Sequence, residues 1–365
     1  MTLKLVSVFF GISFLYTALF AQVVIKGGPT EPDPTISTTE LTGRLGQYLE
    51  EITAKDEFSG VALLAKGGNP VFQHAYGLAS QEYGVPNNVE TKFNIGSIDK
   101  VFTRVAIGQL LEEGKIASID DKLKKYLPDY PNHEAASKVT LRQILNMQSG
   151  IGDFFGATFA KSAKDQFRTI ADFLPLFAGE PLTFEPGTKR QYSNGGYIVL
   201  GAVIEKVSGR GYYDYVREKI FKPLGMENTD FYEADIPTAN LASGYSRDGR
   251  DSNAPRRNNI YTRPARGSAA GGGYSTAGDL LKFANAIEAR KIKVPIFEEG
   301  APKPPNALFG VMRGVGAAGG APGLNGVLET ALPGGYTIVV LSNYDPPAAE
   351  AVSEKIRDWM GLHDD

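Results

Sequence analysis

The sequence predicts an α/β fold of the α+β type: an antiparallel sheet flanked by helices, with an all-helical lobe inserted into the sheet layer. Three observations lead there. Pairs of strand patterns joined by tight Gly-containing turns stand near both ends of the chain. Each end also carries a helical pattern. The long stretch between them is dominated by apolar residues at helical spacing. Two chain ends that each bring strands and a helix bury their apolar faces most simply by pairing into one sheet.

From the N-terminus, Met1 to Leu5 carries one positive charge, at Lys4, Val6 to Phe20 is almost wholly apolar, and Ala21-Gln22 follows. A basic start, an apolar run short for a span and a small residue at its end predict a secretory signal peptide over residues 1–21, cleaved after Ala21. An uncleaved N-terminal anchor is the alternative. No Cys stands at the cleavage point, which excludes lipid attachment there. Residues 22–38 hold Gly27, Gly28, Pro29, Pro32 and Pro34, a linker composition, and the folded domain is expected over 39–365. Its first helix runs from Thr39 to Thr53. Gly60 to Lys66 is an apolar strand, Gly67-Gly68-Asn69-Pro70 a turn, and Val71 to Tyr76 the returning strand.

Helical periodicity then fills Val101–Glu113, Thr140–Met147, Gln166–Ala178, Gly196–Ser208, Tyr212–Phe221 and Ala277–Ala289, which places the helical lobe at roughly 101–290. Thr140 with Gln143, and Thr276 with Asp279, have capping-box spacing, and Gly209 sits where a helix ends. Asp120-Asp121 opens a short helix as capping charge. Ser246 to Arg266 is polar, Arg-rich and broken by Pro, a long loop suited to an active-site rim. The sheet resumes with Gly326–Leu332, a turn at Pro333-Gly334-Gly335 and Tyr336–Ser342. A helix from Pro347 to Met360 closes the chain.

Composition narrows the function. Of 365 residues, 42% are hydrophobic and 22% charged, an ordinary globular balance. The net charge of −3 argues against nucleic acid as a partner, since phosphate binding needs a basic excess. Zero Cys excludes disulfides, thiolate metal sites and a cysteine nucleophile. Export without Cys suits a bacterial periplasm, because such a fold does not depend on oxidation. With only His74, His133 and His363, a His-rich metal site is not expected, and His74 and His133 are read as structural. No phosphate loop stands out, so neither metal nor cofactor is expected. No later apolar run approaches spanning length, so no stable membrane insertion is expected after signal removal.

Ser97-x-x-Lys100 lies at the mouth of a strong helical pattern. Positions three apart share a helix face, so the Lys amine reaches the Ser hydroxyl. The helix N-terminus favours developing negative charge there. A serine is a weak nucleophile until a neighbouring base activates it, and a partly desolvated Lys supplies one. A helix cap followed by a solvated Lys is the plain alternative. Gln191-Tyr192-Ser193-Asn194-Gly195 places a phenol and an amide on a short loop before a helix. A Tyr near Lys can move protons, while the Asn can orient Lys or donate to a substrate carbonyl. Tyr130-Pro131-Asn132 repeats the spacing in Pro-rich surroundings and reads as a surface turn. Gly273-Tyr274-Ser275-Thr276-Ala277 resembles a loose nucleophile elbow, but only His363 follows it, and Ser275-Thr276 reads as a helix cap. Tyr212, Tyr213 and Tyr215 read as packing on one helix face.

Ser97-x-x-Lys100 followed by Tyr192-x-Asn194 resembles the serine β-lactamase and penicillin-binding-protein superfamily, most closely its class C β-lactamase-like serine hydrolases. Phe58-Ser59-Gly60-Val61, Tyr126-Leu127-Pro128-Asp129-Tyr130, Pro223-Leu224-Gly225-Met226 and Gly271-Gly272-Gly273-Tyr274-Ser275-Thr276 extend the likeness over most of the chain. The resemblance implies a β-lactamase/transpeptidase-like fold with the site between sheet and helical lobe. It implies Ser97 as the acyl-forming nucleophile, Lys100 and Tyr192 as the proton-handling pair, and Asn194 as a positioning and substrate-binding group. The family's third motif, a Lys, His or Trp then a small residue and Gly, falls by register on Ala317-Ala318-Gly319. The cationic or aromatic residue is thus replaced by Ala317. Main-chain N–H groups of Ser97 and Gly320 remain for an oxyanion hole beside Gly319. Arg313 is a candidate compensating charge, and Met147 stands where the family often has His. The expected function is an exported serine hydrolase working through an acyl-enzyme on a small-molecule or peptide substrate: a small ester, a D-amino-acid peptide or a β-lactam. The lost cation disfavours substrates with a free carboxylate. The alternative is a non-catalytic or very slow binding module.

Overall fold

The structure, a computed structural model, describes residues 23–24, 34–247, 254–292 and 316–362. The expected signal peptide, Arg313 and His363 lie outside the described residues. Six strands form one antiparallel sheet: β1 (Val23–Val24), β2 (Gly60–Lys66), β3 (Asn69–Tyr76), β4 (Gly316–Ala321), β5 (Leu324–Leu332) and β6 (Tyr336–Ser342). Their spatial order is β1-β4-β5-β6-β2-β3, so the C-terminal strands are sewn to the N-terminal hairpin by β6 against β2. β2 and β6 are apolar at nearly every position because both sheet faces are covered. Ala62, Leu64, Ile338 and Val340 pack under α1 (Thr38–Ala54), with Leu41, Leu45 and Leu49, and under the C-terminal helix, with Val352 and Ile356. Val61, Leu63, Val339 and Leu341 face the opposite way, into the core shared with the helical region.

That region occupies the chain between β3 and β4. At its centre is α2 (Lys100–Glu112), in which every residue from Lys100 to Gly108 is buried. Beside it lies α3 (Asn194–Ser208), closed by Gly209 in the left-handed conformation, while α4 (Ala277–Glu288) packs on β2 and β6. The C-terminal helix is α5 (Ala348–Met360).

Several local expectations are corrected. The hairpin turn is only Gly67-Gly68, so β3 starts at Asn69 rather than Val71. Part of the expected linker is ordered, since Val23–Val24 pairs with Ala317 and Gly316. The Gln166–Ala178 helix shrinks to Ile170–Phe173 plus a tight turn at Leu174–Leu176, where Pro175 ends regular helix. Ser246–Arg266 is not a plain loop: Tyr245–Arg247 pairs with Arg256–Asn258 as a short ribbon. Thr140 and Gln143 do form a capping box. Thr276 caps α4 alone, because the Asp279 carboxylate turns to the Asn228 N–H and the Thr229 hydroxyl. Asp120 pairs with Arg142 and Asp121 with Lys125 and Tyr126, so neither is a helix cap. Tyr130 is buried rather than at a surface turn, and Asn132 caps the helix His133–Lys138.

Candidate active site

Ser97 lies in a tight helical turn, Gly96–Asp99, that runs into α2. Ile95 and Ile98 on either side are fully buried, which anchors the turn and leaves the hydroxyl facing the helical region. One turn along, Lys100 is fully buried. Its Nζ lies within hydrogen-bond distance of three oxygens: Ser97 Oγ at 3.0 Å, Asn194 Oδ1 at 2.8 Å and the Ala270 carbonyl. It also lies 4.7 Å from the centre of the Tyr192 ring. Tyr192 Oη is 2.6 Å from Ser97 Oγ. The four residues picked out by two short motifs therefore form one continuous hydrogen-bonded group.

The loop carrying Tyr192 is held from below. Gln191 N–H donates to the Met147 carbonyl at 2.8 Å, and Ser193 N–H reaches the Met147 Sδ at 3.4 Å. Met147 itself has a φ of 60°, in the left-handed region. Ser193 caps α3 by accepting from Gly196 N–H and donates to the Gly152 carbonyl. Asn194 is thus the first residue of α3. Its backbone N–H and its Nδ2 both donate to Asp153 Oδ2, each at 2.9 Å. Asp153 belongs to no motif recognised in the sequence; an acid three residues after Ser149-Gly150 has no spacing signature of its own.

Burial dominates the electrostatics. It pushes the Lys100 ammonium down to about 8, against the opposing pull of Tyr197, Asp153 and Asp99. It holds the Tyr192 phenol well above its usual range, although the Ser97 hydrogen bond pulls the other way. Asp99 is also buried, and desolvation raises its carboxyl to about 8, against the Gly273 N–H at 2.5 Å and the Lys100 charge. Asp99, like Asp153, carries no sequence signature of its own.

On the sheet side, β4 lies against the Ser97 turn. A Cβ on Gly319 would fall 2.2 Å from the Ile95 carbonyl oxygen and 2.8 Å from Ser97 N, so only glycine lets the strand come this close. A Cβ on Gly320 would instead meet Pro346, at 2.7 Å. Ala317 is buried in the core shared with the helical region, and Ala318 packs on the other sheet face. The third-motif positions therefore bring methyl groups and no charge. Among the described residues no group of three or more His, Asp or Glu is placed to hold a metal ion. No helix among them is long and apolar enough to cross a membrane.

Comparison with known proteins fits this arrangement. Penicillin-binding protein 4* of Bacillus subtilis (strain 168) is 34% identical over 209 residues, covering 56% of this chain and 45% of that protein. The chain thus spans less than half the length of this relative. Putative penicillin-binding protein PbpX of the same organism is 30% identical over 329 residues, 87% of this chain and 78% of that one. The crystal structure of a penicillin binding protein from Bacillus halodurans superposes with a TM-score of 0.73 at 30% identity, covering 85% of this chain and 98% of the other. The family model described as Beta-lactamase matches residues 45–360. A match of that extent, on a mixed helix and antiparallel-sheet fold shared with penicillin-binding proteins, means that the chain belongs to the beta-lactamase family, within the serine β-lactamase and penicillin-binding-protein superfamily.

Proposed function

We propose that the protein is an exported serine hydrolase that cleaves an ester or amide through an acyl-enzyme on Ser97. The observation that carries this is the bonding around Lys100. A neutral amine has two N–H bonds and one lone pair. The Ala270 carbonyl can only accept, and so can Asn194 Oδ1. If these take the two N–H bonds, the lone pair is left to the Ser97 hydroxyl at 3.0 Å. Burial favours that neutral amine.

Lys100 takes the Ser97 proton as Oγ attacks the substrate carbonyl. The oxyanion is held by the main-chain N–H groups of Ser97 and Gly320, a contribution worth about 10²–10³ in rate per donor. The Tyr192 hydroxyl protonates the leaving group and is reprotonated by Lys100. Water then attacks the acyl-enzyme, and the same groups run in reverse. With Ala317 at the third motif, acyl groups without a free carboxylate fit best: small esters, or peptides bound otherwise. The apolar segment Val6–Phe20 ahead of Ala21 supports export.

The test is intact-mass spectrometry of the mature protein after treatment with a fluorophosphonate and, separately, with a penicillin. A fluorophosphonate adduct is expected on wild type and none on Ser97→Ala. A penicillin adduct would mean that a carboxylate-bearing substrate is accepted despite Ala317. No adduct from either reagent on folded protein would favour the second reading, a binding module, to which the Ala317-Ala318 departure points.

A further inference from the structure

We propose that Asp153 is a positioning residue for the reaction: it fixes which end of the Asn194 amide faces Lys100, and so which way the Lys100 lone pair points. The inference rests on the hydrolase reading above. Asn194 carries a donor end and an acceptor end of nearly equal shape. Against Lys100 the two are opposites. With Oδ1 facing Nζ, as here at 2.8 Å, the amide takes an N–H bond and leaves the lone pair for Ser97. With Nδ2 facing Nζ, two donors would meet unless the amine turned its lone pair to Asn194 and away from Ser97.

Nothing in the motif itself decides between them; the carboxylate does. Asp153 Oδ2 can only accept, and it takes Nδ2 and the backbone N–H of the same residue, both at 2.9 Å. The backbone bond pins the carboxylate to the first turn of α3, so the side-chain bond has a fixed partner. The other oxygen is held by the Phe155 N–H at 3.0 Å. The chain from Asp153 through Asn194 and Lys100 to Ser97 is thus polarised in one sense.

Asp153 also acts at longer range, since its negative charge favours the Lys100 ammonium. Lys100 is faced by Asp99 from its own turn, by Tyr192 from the loop before α3, by Tyr197 from α3 and by Asp153. Arg104, a turn further along α2, donates to the Tyr197 hydroxyl. The Ala270 segment brings only a carbonyl, and β4 brings Ala317 and Gly319. Tyr212 lies beyond Asp99, bonded to Thr103.

The test is the rate of fluorophosphonate labelling against pH for wild type, Asp153→Asn and Asp153→Glu, each intact and checked for folding by circular dichroism. Asp153→Asn is expected to label at least tenfold more slowly at the plateau, with its acid limb moved to lower pH, because the ammonium loses a stabilising charge. Asp153→Glu keeps the charge but moves the carboxylate, so the rate falls while the limb stays near that of wild type. It also covers the case in which the Asn variant does not fold. Wild-type rate and limb in Asp153→Asn would overturn the proposal. So would a slower rate with an unmoved limb, which is what a purely structural role gives. Failure of the wild type itself to label is a different result and removes the hydrolase reading first.

Discussion

At the scale of single residues, the site depends on proton bookkeeping at Lys100. Burial brings its ammonium down to about 8. With the free amine as the proposed base, acylation of Ser97 is expected to rise through about pH 8 and to fall about tenfold per unit below it. A stopped-flow pH profile with an activated ester checks the sign: activity that instead falls on going from pH 6 to 8 contradicts a neutral lysine base. Ser97 and Lys100 were legible in the sequence because their spacing alone puts them on one helix face. Tyr192 and Asn194 stand out as a phenol and an amide on a short loop before a helix, and the likeness to a family ties that loop to Ser97 and Lys100. Asp99 and Asp153 were not legible, since isolated acids are common and their meaning comes from what the fold lays against them.

At the scale of elements, β4 closely approaches the Ser97 turn. Gly319→Ala would drive a methyl into the Ile95 carbonyl. Relief needs a backbone shift, and overpacking of this kind typically costs about 1–3 kcal/mol. The same shift would displace Gly320, so labelling by fluorophosphonate is expected to drop at least a hundredfold while the protein still folds. Chemical denaturation alongside labelling measures both. The cap of α3 supplies a gentler perturbation. Ser193→Ala removes the acceptor for Gly196 N–H and the donor to Gly152, and should cost about 1 kcal/mol in urea unfolding.

For the whole molecule, the centre of the sheet is buried on both sides, and β6 is its keystone because it joins C-terminal strands to N-terminal ones. Ile338→Ala in that strand opens a cavity between sheet and α1/α5, and is expected to lower stability by about 2–5 kcal/mol. The single Trp gives a local readout. Trp359 on α5 meets the edge of the Tyr48 ring on α1, with centroids 5.9 Å apart. Its fluorescence should follow undocking of these two helices, and in Ile338→Ala the urea midpoint should shift down. An unchanged midpoint would mean that the helix layer does not share in the cooperative core.

The sequence by itself determined the periodicities and therefore the elements: strands at both ends, helices between, and a Ser and Lys one helical turn apart. These depend on local spacing, which the chain carries without help. It also carried the loss of charge at Ala317. The tertiary structure alone decided the strand order, in which β6 pairs with β2 and so joins the C-terminal strands to the N-terminal hairpin. It decided that Ser246–Arg266 contains a paired ribbon, and that Val23–Val24 joins the sheet edge, where the pairing partner lies near the other end of the chain and leaves no local trace. It decided, finally, the direction of the Asn194 amide, since an acceptor and a donor of the same shape are told apart only by the charge that packs against them.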